Sequence, residues 1–469
     1  MTPSQNSRPD GLLPADGAYL RPWRMLALSL VLGVIGGLGA VVFLWMLDQA
    51  QYWMLGRIAG VTPLTVAGAK QLTALPAFDQ GWNLWILAST TLGGLIAGVL
   101  VYTFAPEAEG HGTDGAVKAF HQLRGYVRGR VIVVKSIASA ITIGSGGAAG
   151  REGPTAQIAA GVGSVLGRLL RLSDDEVRLM VLVGMAAGLS AIFRSPLGTA
   201  IFAVEVLYAG MHLEGRALPF TLAGAAVAYA VVCLFTGWGT LFDIPTTVQF
   251  DQPVELLWYA LLGVLCGIMG TLLPNLFYGV RNAFRALRIP NHVKPAIGGL
   301  LVGVIGLFLP QILAGGYGVI QLAVQGSLAA SSLGLLLVLS VAKLAALSLT
   351  VGSGGSGGVF APSLFVGALL GAAFAALLQL FGVDAVPAAA LAMVGMAATF
   401  GAAGRVPVAT TVMVAEMTGG YKLMAPAMLA VAIAYLLQVA LSRHTPYASL
   451  YEAQVPAPKD SPVHAKDGR

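Results

Sequence analysis

The sequence predicts an all-α, polytopic membrane protein whose transmembrane part contains two copies of one unit. Three observations support this prediction. The 469 residues are 57% hydrophobic and 10% charged, whereas a soluble domain has roughly 25% charged residues. Apolar runs that are long enough to cross a bilayer as helices, which takes about 20 residues, recur between Met25 and Leu441. A glycine-rich motif also occurs once in each half of the chain.

Other apolar segments, such as residues 131–143, are too short to span a bilayer alone. Many of these segments are interrupted by Gly or Pro, and the chain contains 61 glycines. Such interruptions are typical of helices that stop inside the membrane and expose their ends to a polar cavity. The sequence therefore predicts a mixture of full spans and broken helices.

The net charge of +6 does not indicate nucleic-acid binding, because the basic residues lie mostly at the ends of apolar runs, where they report topology. Arg21 and Arg24 precede the first span, and Arg128 marks an inner loop. The first 22 or so residues are polar and contain proline, which does not match a cleavable signal peptide. We expect a multi-pass protein of the cell inner membrane with both termini in the cytoplasm.

The second half of the chain repeats uncommon residues of the first half in the same order. Matching Arg, Pro and Glu at one offset is much harder to obtain by chance than matching apolar residues. The matched positions, 211 residues apart, are Arg194 with Arg405, Pro196 with Pro407, Thr199 with Thr410, and Glu205 with Glu416.

This duplication predicts five regions. They are a cytoplasmic N-terminal segment (1–21), a first transmembrane repeat (22–229), a connecting segment (230–252), a second transmembrane repeat (253–442) and a short cytoplasmic tail (443–469). Interrupted segments at matching places in the two repeats are the best indication of a substrate site.

The glycine motifs are such a pair. Residues 144–147 (GSGG) lead to Glu152 and Pro154, and residues 352–355 (GSGG) lead at the same spacing to Phe360 and Pro362. Pro is tolerated in the first turn of a helix, so a helix running from about residue 155 is predicted after the first motif. A helix start offers free N–H groups and a positive dipole end. Two such starts converging near mid-membrane form an anion site from backbone alone.

Glu152 has a specific function in this arrangement. A carboxylate at membrane depth is energetically expensive and is usually functional. When ionised, Glu152 can occupy the anion site itself, and when protonated it loses that attraction and can swing out. This predicts a gate that links anion movement to proton binding. The alternative is that Glu152 is an exposed loop residue or pairs with Arg151.

Residues 150–154 (GREGP), residues 358–362 (GVFAP) and the paired segments ending in Glu205 and Glu416 resemble the CLC family of chloride channels and proton-coupled chloride transporters. The resemblance covers essentially the whole transmembrane length. It implies inverted repeats of broken and tilted helices, and a homodimer in the lipid bilayer with one pathway per subunit. Chloride or a similar small anion and protons are the implied partners, without a cofactor.

The resemblance also implies site residues. Glu152 looks like the gating glutamate of the family. The implied anion-binding positions are His111, Gly112, Arg151, Gly153, Val359, Phe360, Ala361 and Tyr451.

The family's anion site also includes a tyrosine hydroxyl near the end of the last helix. Residues 449–451 (SLY) match that pattern best, which selects Tyr451, with Tyr447 as the alternative. Either residue could instead be an amphipathic tyrosine at the membrane interface. About 18 residues follow Tyr451, so the resemblance is to bacterial-type members without a cytoplasmic regulatory domain pair.

His111 departs from the family pattern, because it falls where a chloride-coordinating serine is expected. The family uses serine at this position for chloride and proline for a nitrate preference, so the preferred anion stays open. A neutral imidazole donates one hydrogen bond and a protonated one adds charge, so anion binding could become pH-dependent. The alternative is that the side chain turns away and only backbone N–H groups bind.

A second departure concerns proton delivery. Val206 occupies the position of an internal glutamate that carries protons in many transporters of the family, and its neighbour Glu205 is a candidate proton relay. Glu205 also matches Glu416 of the other repeat, which favours a shared structural role. Channels of the family carry an apolar residue at the Val206 position. The leading prediction is chloride/proton exchange, and the alternative is a passive anion channel.

A distant alternative is an intramembrane serine hydrolase, with Ser145 or Ser353 as nucleophile and His111 as base. The duplicated serines argue against it, because catalysis needs one serine with one positioned base, so we do not expect an enzyme. No Cys/His cluster has metal-ligand spacing. Cys233 and Cys266 both lie in apolar runs, which predicts buried thiols rather than a disulfide.

Overall fold

The computed structural model describes residues 22–72, 74–75, 83–328, 331–383 and 386–464. These residues fold mainly into helices, which confirms the predicted all-α class. The predicted cytoplasmic segment 1–21 lies outside the described residues.

The described residues form seventeen α-helices, and a π-helical segment, Tyr52–Ile58, extends the first of them. The α-helices are α1 (Pro22–Gln51), α2 (Val66–Ala69), α3 (Trp85–Phe104), α4 (Thr113–Gln122), α5 (Gly129–Gly144), α6 (Glu152–Leu169), α7 (Asp174–Phe193), α8 (Pro196–Glu205), α9 (Leu218–Thr236), α10 (Glu255–Ala286), α11 (Lys294–Phe308), α12 (Tyr317–Val324), α13 (Leu333–Gly352), α14 (Phe360–Leu380), α15 (Ala388–Gly404), α16 (Pro407–Thr418) and α17 (Met424–Ser442).

Within the described part of the chain, eight helical segments are long and apolar enough to cross a membrane. Three further apolar helices, α8, α11 and α15, are shorter. Of the 18 consecutive residues that make the most apolar stretch of each helix, 89% are buried in α7, whereas 39% are buried in the first helical segment, Pro22–Ile58. A helix that is apolar all round and buried lies inside the bundle. The chain therefore combines interior helices with helices whose outer faces are available to lipid.

The helices repeat with the spacing of the sequence motifs. α6 and α14 begin 208 residues apart, at Glu152 and Phe360, and α8 and α16 begin 211 residues apart. An arginine in the left-handed backbone conformation precedes both α8 and α16: Arg194, with φ of 55°, precedes α8, and Arg405, with φ of 54°, precedes α16. These arginines terminate α7 and α15, so the chain reverses in the same way in each half. α6 begins at Glu152, three residues before the predicted start.

Candidate functional site

The two glycine-rich segments meet in the interior of the protein. Gly150 N donates to the Gly358 carbonyl at 2.7 Å, and Gly358 N donates to the Gly150 carbonyl at 2.6 Å. An antiparallel exchange between equivalent residues is what a local two-fold axis between two repeats produces. A Cβ on Gly358 would lie 2.8 Å from Gly153 N. Only glycine allows the two backbones to approach this closely.

This pairing brings the starts of α6 and α14 together. Thr155 N makes the first backbone bond of α6, to Arg151, and Ser363 N makes that of α14, to Val359. The N–H groups ahead of them have no partner within their helices, as at any helix start. They therefore remain available to a negative charge between the helices. These groups belong to Glu152, Gly153, Phe360 and Ala361.

Glu152 lies at this junction with 1% of its surface exposed. The backbone N–H groups of Glu152 itself and of Ala361 lie near the carboxylate, but neither carboxylate oxygen makes a hydrogen bond of good geometry. A buried carboxylate without firm partners is costly to keep ionised. The arrangement therefore favours a group that is readily displaced or protonated over a permanently anchored one.

Arg151 points away from its neighbour. Its guanidinium lies over the ring of Tyr317, with 4.4 Å between the guanidinium carbon and the ring centroid. Both Arg151 and Glu152 are among the described residues, and they form no ion pair. The structure thus does not match the alternatives in which Glu152 is exposed or pairs with Arg151.

A cavity opens on each side of the junction. The tail-side cavity, of about 500 Å³, is lined by His111, Gly112, Asp114, Arg281, Glu452 and others. The far-side cavity, of about 790 Å³, is lined by Asp48, Arg151, Arg194, Asp243, Tyr317 and others. Glu152 lines neither cavity. Arg151 before it lines the far-side cavity, and Gly153 after it lies against the His111 carbonyl of the tail-side cavity, so Glu152 lies between the two.

His111 is one of the residues that line the tail-side cavity. It is 6% exposed, and its Nδ1 atom is buried without a hydrogen-bond partner. Its ring contacts the ring of Tyr451 at a centroid distance of 5.5 Å and that of Phe277 at 6.2 Å. The next residue, Gly112, has φ of 89° and precedes α4. A histidine side chain and a third helix start therefore face the cavity together.

The structure separates the two candidate tyrosines. Tyr451 is 2% exposed, and its ring contacts Phe202 as well as His111. Tyr447 is half-buried, stacks on Tyr278 at 4.6 Å, and its hydroxyl bonds to Asn282. Tyr451 thus contacts His111 of the tail-side cavity, whereas the side chain of Tyr447 contacts Tyr278 and Asn282.

Phe360 contributes an apolar wall to the barrier. Its ring packs against Phe400 at a centroid distance of 3.9 Å, Phe193 at 4.3 Å and Phe202 at 6.1 Å. Val359 caps α14 and is 2% exposed. The polar groups available at this point are consequently those of the backbone.

Glu205 is engaged in a structural contact. Its Oε1 accepts from Val408 N at 3.1 Å and its Oε2 from Ala409 N at 2.7 Å, at the start of α16. Val206, the next residue, is fully buried. This geometry favours the structural alternative for Glu205 over a proton relay.

Two buried lysines near the site were not found by sequence reasoning. Lys135 Nζ donates to the carbonyls of Ala108 and Gly110 at 3.0 and 2.7 Å. Lys343 Nζ donates to the carbonyls of Ile312 and Ala314 at 2.7 and 2.6 Å. Lys135 thus holds the loop ahead of α4, and Lys343 holds the loop ahead of α12. The sequence did contain a signal for them: Lys135 and Lys343 both lie in apolar segments and are 208 residues apart, which is the offset of the two glycine motifs.

The remaining candidate chemistry finds little support. Ser145 Oγ donates to the Thr142 carbonyl and Ser353 Oγ to the Thr350 carbonyl, each three residues earlier, so both hydroxyls bond to backbone. Among the described residues, no group of three or more Cys, His, Asp or Glu could hold a metal ion. Cys233 and Cys266 are buried and unpaired, as predicted.

Comparison with known proteins is consistent with this geometry. A family model described as voltage gated chloride channel matches residues 93–439. A chloride channel protein described as ClcB-like, from Ralstonia nicotianae, is 33% identical over 90% of this chain and 96% of its own. H(+)/Cl(−) exchange transporter ClcA from Cronobacter sakazakii is 32% identical over 86% of this chain and 84% of its own.

Solved structures show the same fold. A slow cyanobacterial Cl⁻/H⁺ antiporter superposes with a TM-score of 0.77 at 23% identity, covering 95% of this chain and 99% of its own. A CLC-type fluoride/proton antiporter superposes with a TM-score of 0.75 at 22% identity, covering 93% of this chain and 99% of its own.

Proposed function

Because the chain belongs to the voltage-gated chloride channel family, we propose that it exchanges chloride for protons across a membrane, with Glu152 as the gate. The observation that carries the proposal is the buried, unpaired Glu152 carboxylate at the junction of two helix starts. A relative named as an H(+)/Cl(−) exchange transporter supports the choice of ions. Backbone N–H groups attract a carboxylate and a halide alike, so the two compete for one place.

The proposed cycle follows from this competition. An anion enters from the tail-side cavity and meets the His111 imidazole, the Tyr451 hydroxyl and the start of α4. Ionised Glu152 occupies the junction ahead of it. When Glu152 takes up a proton, its attraction to the positive helix ends falls, and the carboxyl group turns away. The anion then occupies the vacated place, so protonation and anion movement are linked.

We also propose an orientation and an assembly. The tail-side cavity is lined by Lys118, Arg128, Arg281 and Arg285, and basic residues accumulate on the cytoplasmic side of a membrane protein. The tail side is therefore assigned to the cytoplasm, with both termini there, in the cell inner membrane. One chain contains both cavities and the junction, so each subunit of the proposed homodimer carries a complete pathway.

A passive anion channel is the second candidate. The observation that favours it is the Val206 side chain, which is apolar and fully buried where a proton-carrying acid is expected. With Glu205 engaged at α16, the α8 end offers no free carboxylate of its own. In that case Glu152 only opens and closes the pathway.

The reversal potential of the purified protein in liposomes distinguishes chloride/proton exchange from a passive anion channel. It is measured under a chloride gradient, with and without an opposing pH gradient, for the native chain and for Glu152→Gln. We expect the potential of the native chain to shift when the pH gradient is applied, because protons are coupled. The Glu152→Gln variant is expected to lose this shift while still passing chloride.

Asp251→Asn, which changes an exposed loop carboxylate, is the matched control and is expected to behave like the native chain. A native potential that follows the chloride gradient alone, with or without the pH gradient, identifies a passive channel and overturns exchange.

A further inference from the structure

A second polar cluster joins the C-terminal tail to the end of α8. The buried Tyr208 hydroxyl donates to Glu214 Oε2 at 2.9 Å and lies 3.2 Å from His464 Nε2. His464 Nε2 also lies 3.3 Å from the same carboxylate oxygen. The side chain of His464 is 20% exposed and that of Glu214 is 8% exposed. Solvent therefore reaches the acid–imidazole pair, while the tyrosine lies behind it.

This cluster is separate from the anion pathway, because Tyr208, Glu214 and His464 line neither cavity. A small cavity of about 20 Å³ adjoins it, lined by Glu214 and by the charged residues Asp175, Arg178 and Arg216. A cavity of at least 10–15 Å³ has room for one water molecule. A carboxylate beside a water-sized opening is placed to exchange protons with the solvent.

The surroundings of the cluster contain further titratable groups. His121 packs its ring against Tyr208 at 5.6 Å. Its Nε2 atom lies 3.0 Å from the Leu207 carbonyl, which only accepts, so Nε2 carries the proton. Its Nδ1 atom then accepts from the Ser461 hydroxyl at 2.7 Å. Both ring nitrogens are thus committed to structural bonds. The exposed His212 ring also packs against Tyr208, at a centroid distance of 6.2 Å. Glu214 and His464 lie within hydrogen-bond distance of the Tyr208 hydroxyl, which makes them the exchanging pair.

The position of the cluster relates it to Glu152. Glu214 N donates to the Val204 carbonyl at 3.1 Å, which ties the acid to the end of α8. Two residues before Val204, the ring of Phe202 lies 6.1 Å from the ring of Phe360, which begins α14. The end of α8 that holds Glu214 is therefore also in contact with the helix start beside Glu152.

We propose that Glu214 and His464 are the cytoplasmic proton-transfer site of the exchange reaction, with the Tyr208 hydroxyl as its inner end. This rests on the proposed exchange function. A proton from water binds the carboxylate or the imidazole. Tyr208 releases its own proton inward as it accepts that one, and the released proton crosses the Phe202 stretch on transiently admitted water to Glu152. Only O–H and N–H bonds form and break, and no net charge remains on Tyr208.

The test measures proton flux and chloride flux separately in the same liposomes, under one pair of gradients. The variants are Glu214→Gln with His464→Gln, singly and together, and Tyr208→Phe. The double variant is expected to lose about tenfold or more of the proton flux, as removal of a proton-transfer group does, while chloride flux stays close to native. Glu214→Asp keeps a carboxylate and is expected to retain coupling.

Matched controls are available on the same part of the molecule. Asp460→Asn removes an exposed tail carboxylate and His444→Gln removes an exposed imidazole; both are expected to leave the ratio of proton to chloride flux unchanged. Retained chloride flux in a variant shows that it is folded. Tyr208→Phe deletes a single oxygen atom and supplies a second variant if the double variant does not fold.

Two results overturn the proposed proton-transfer site and leave the exchange function standing. One is an unchanged flux ratio in the double variant when the native chain couples. The other is a parallel loss of both fluxes, which means that the cluster only holds the tail carrying Tyr451 in position. A native chain without proton flux overturns the exchange function as well, so the two failures are distinguishable.

Discussion

Glu205 and Glu416 each hold the N-terminus of the helix that carries the other. Glu205, at the end of α8, accepts two backbone N–H groups at the start of α16. Glu416, near the end of α16, accepts from Gly198 N at 2.8 Å and from the Ser195 hydroxyl at 2.5 Å, at the start of α8. A carboxylate at a helix N-terminus is favoured by the free N–H groups and the dipole. This reciprocal arrangement accounts for the matched glutamates of the two repeats.

The reciprocal caps predict a stability effect. Glu205→Gln and Glu416→Gln each weaken the hydrogen bonds that a carboxylate accepts at a helix start; Glu205 is buried and Glu416 is half-buried. Each is expected to lower the free energy of unfolding by about 1–3 kcal/mol, the range for hydrogen bonds to charged groups and for buried groups left unsatisfied. Thermal unfolding of the purified protein in detergent measures this.

In the same variants the ratio of proton to chloride flux is expected to stay native. Full stability of Glu205→Gln together with a loss of proton flux shows instead that Glu205 is the proton relay. Glu176→Gln, at an exposed helix start of α7, is the control for a less buried cap.

Tyr451 is expected to contribute to anion affinity. Tyr451→Phe removes a hydroxyl beside His111 without changing the ring that packs on Phe202. A hydrogen bond to a charged partner contributes about 1.5–3 kcal/mol, so the chloride dissociation constant is expected to rise about tenfold or more. Isothermal titration of the purified protein with chloride measures it.

Tyr447→Phe is the matched control for this measurement, because its hydroxyl bonds to Asn282 outside the pathway. Native affinity in Tyr451→Phe, or an equal loss in both variants, contradicts the assignment of Tyr451 to the anion site.

Lys135 and Lys343 are expected to be structural partners of the loops ahead of α4 and α12. Lys343→Met removes the ammonium donor from the carbonyls of Ile312 and Ala314. An unsatisfied buried group costs about 1–3 kcal/mol, so this variant is expected to unfold at a lower temperature. Lys135→Met is expected to have a smaller effect, because the Ser356 hydroxyl also donates to the Ala108 carbonyl at 3.0 Å and Gly357 N to the Gly110 carbonyl at 3.3 Å. The loop ahead of α4 carries His111, so Lys135→Met is also expected to weaken chloride binding.

Lys118→Met, an exposed lysine on α4, supplies the control for loss of charge alone. Unfolding temperatures that match the native protein in both buried variants run against this prediction.

Docking of the tail is expected to weaken in acid. Burial lowers the pKa of the His121 imidazole below its usual value. An undocked His121 therefore binds a proton more readily than the docked one. The contribution of His121 to docking is present above about pH 6.5, the ordinary pKa of His, and is lost as the pH falls below it. A spin label on Asp460→Cys reports docking as the fraction of immobile label.

The measurement is made in a His464→Gln background, so that the contact of His464 with Glu214 does not contribute to docking. Immobile label is expected to fall between pH 7.5 and 5.5, and His121→Gln is expected to remove that dependence. A dependence that persists in His121→Gln points to another group.

The site residues differ in how far the sequence could predict them. Gly153, Phe360 and Ala361 were predictable because a helix start exposes N–H groups whatever its side chains are. Tyr451 could not be separated from Tyr447 by sequence, because both fit one local pattern and burial distinguishes them. Arg151 was predicted at the anion site, but its guanidinium lies over Tyr317, a contact with a residue far away in the chain.

The membrane class, the repeated motifs and the place of Glu152 beside a helix start could be predicted from the chain alone, since they follow from hydropathy, spacing and backbone chemistry. The folded structure was needed to see that Gly150 pairs with Gly358, that Glu205 caps α16, and that Tyr208, Glu214 and His464 meet. The reason is physical. Each of these contacts joins residues from segments whose approach is set by packing of the whole bundle, and a side chain's charge or hydrogen-bonding capacity does not specify its partner.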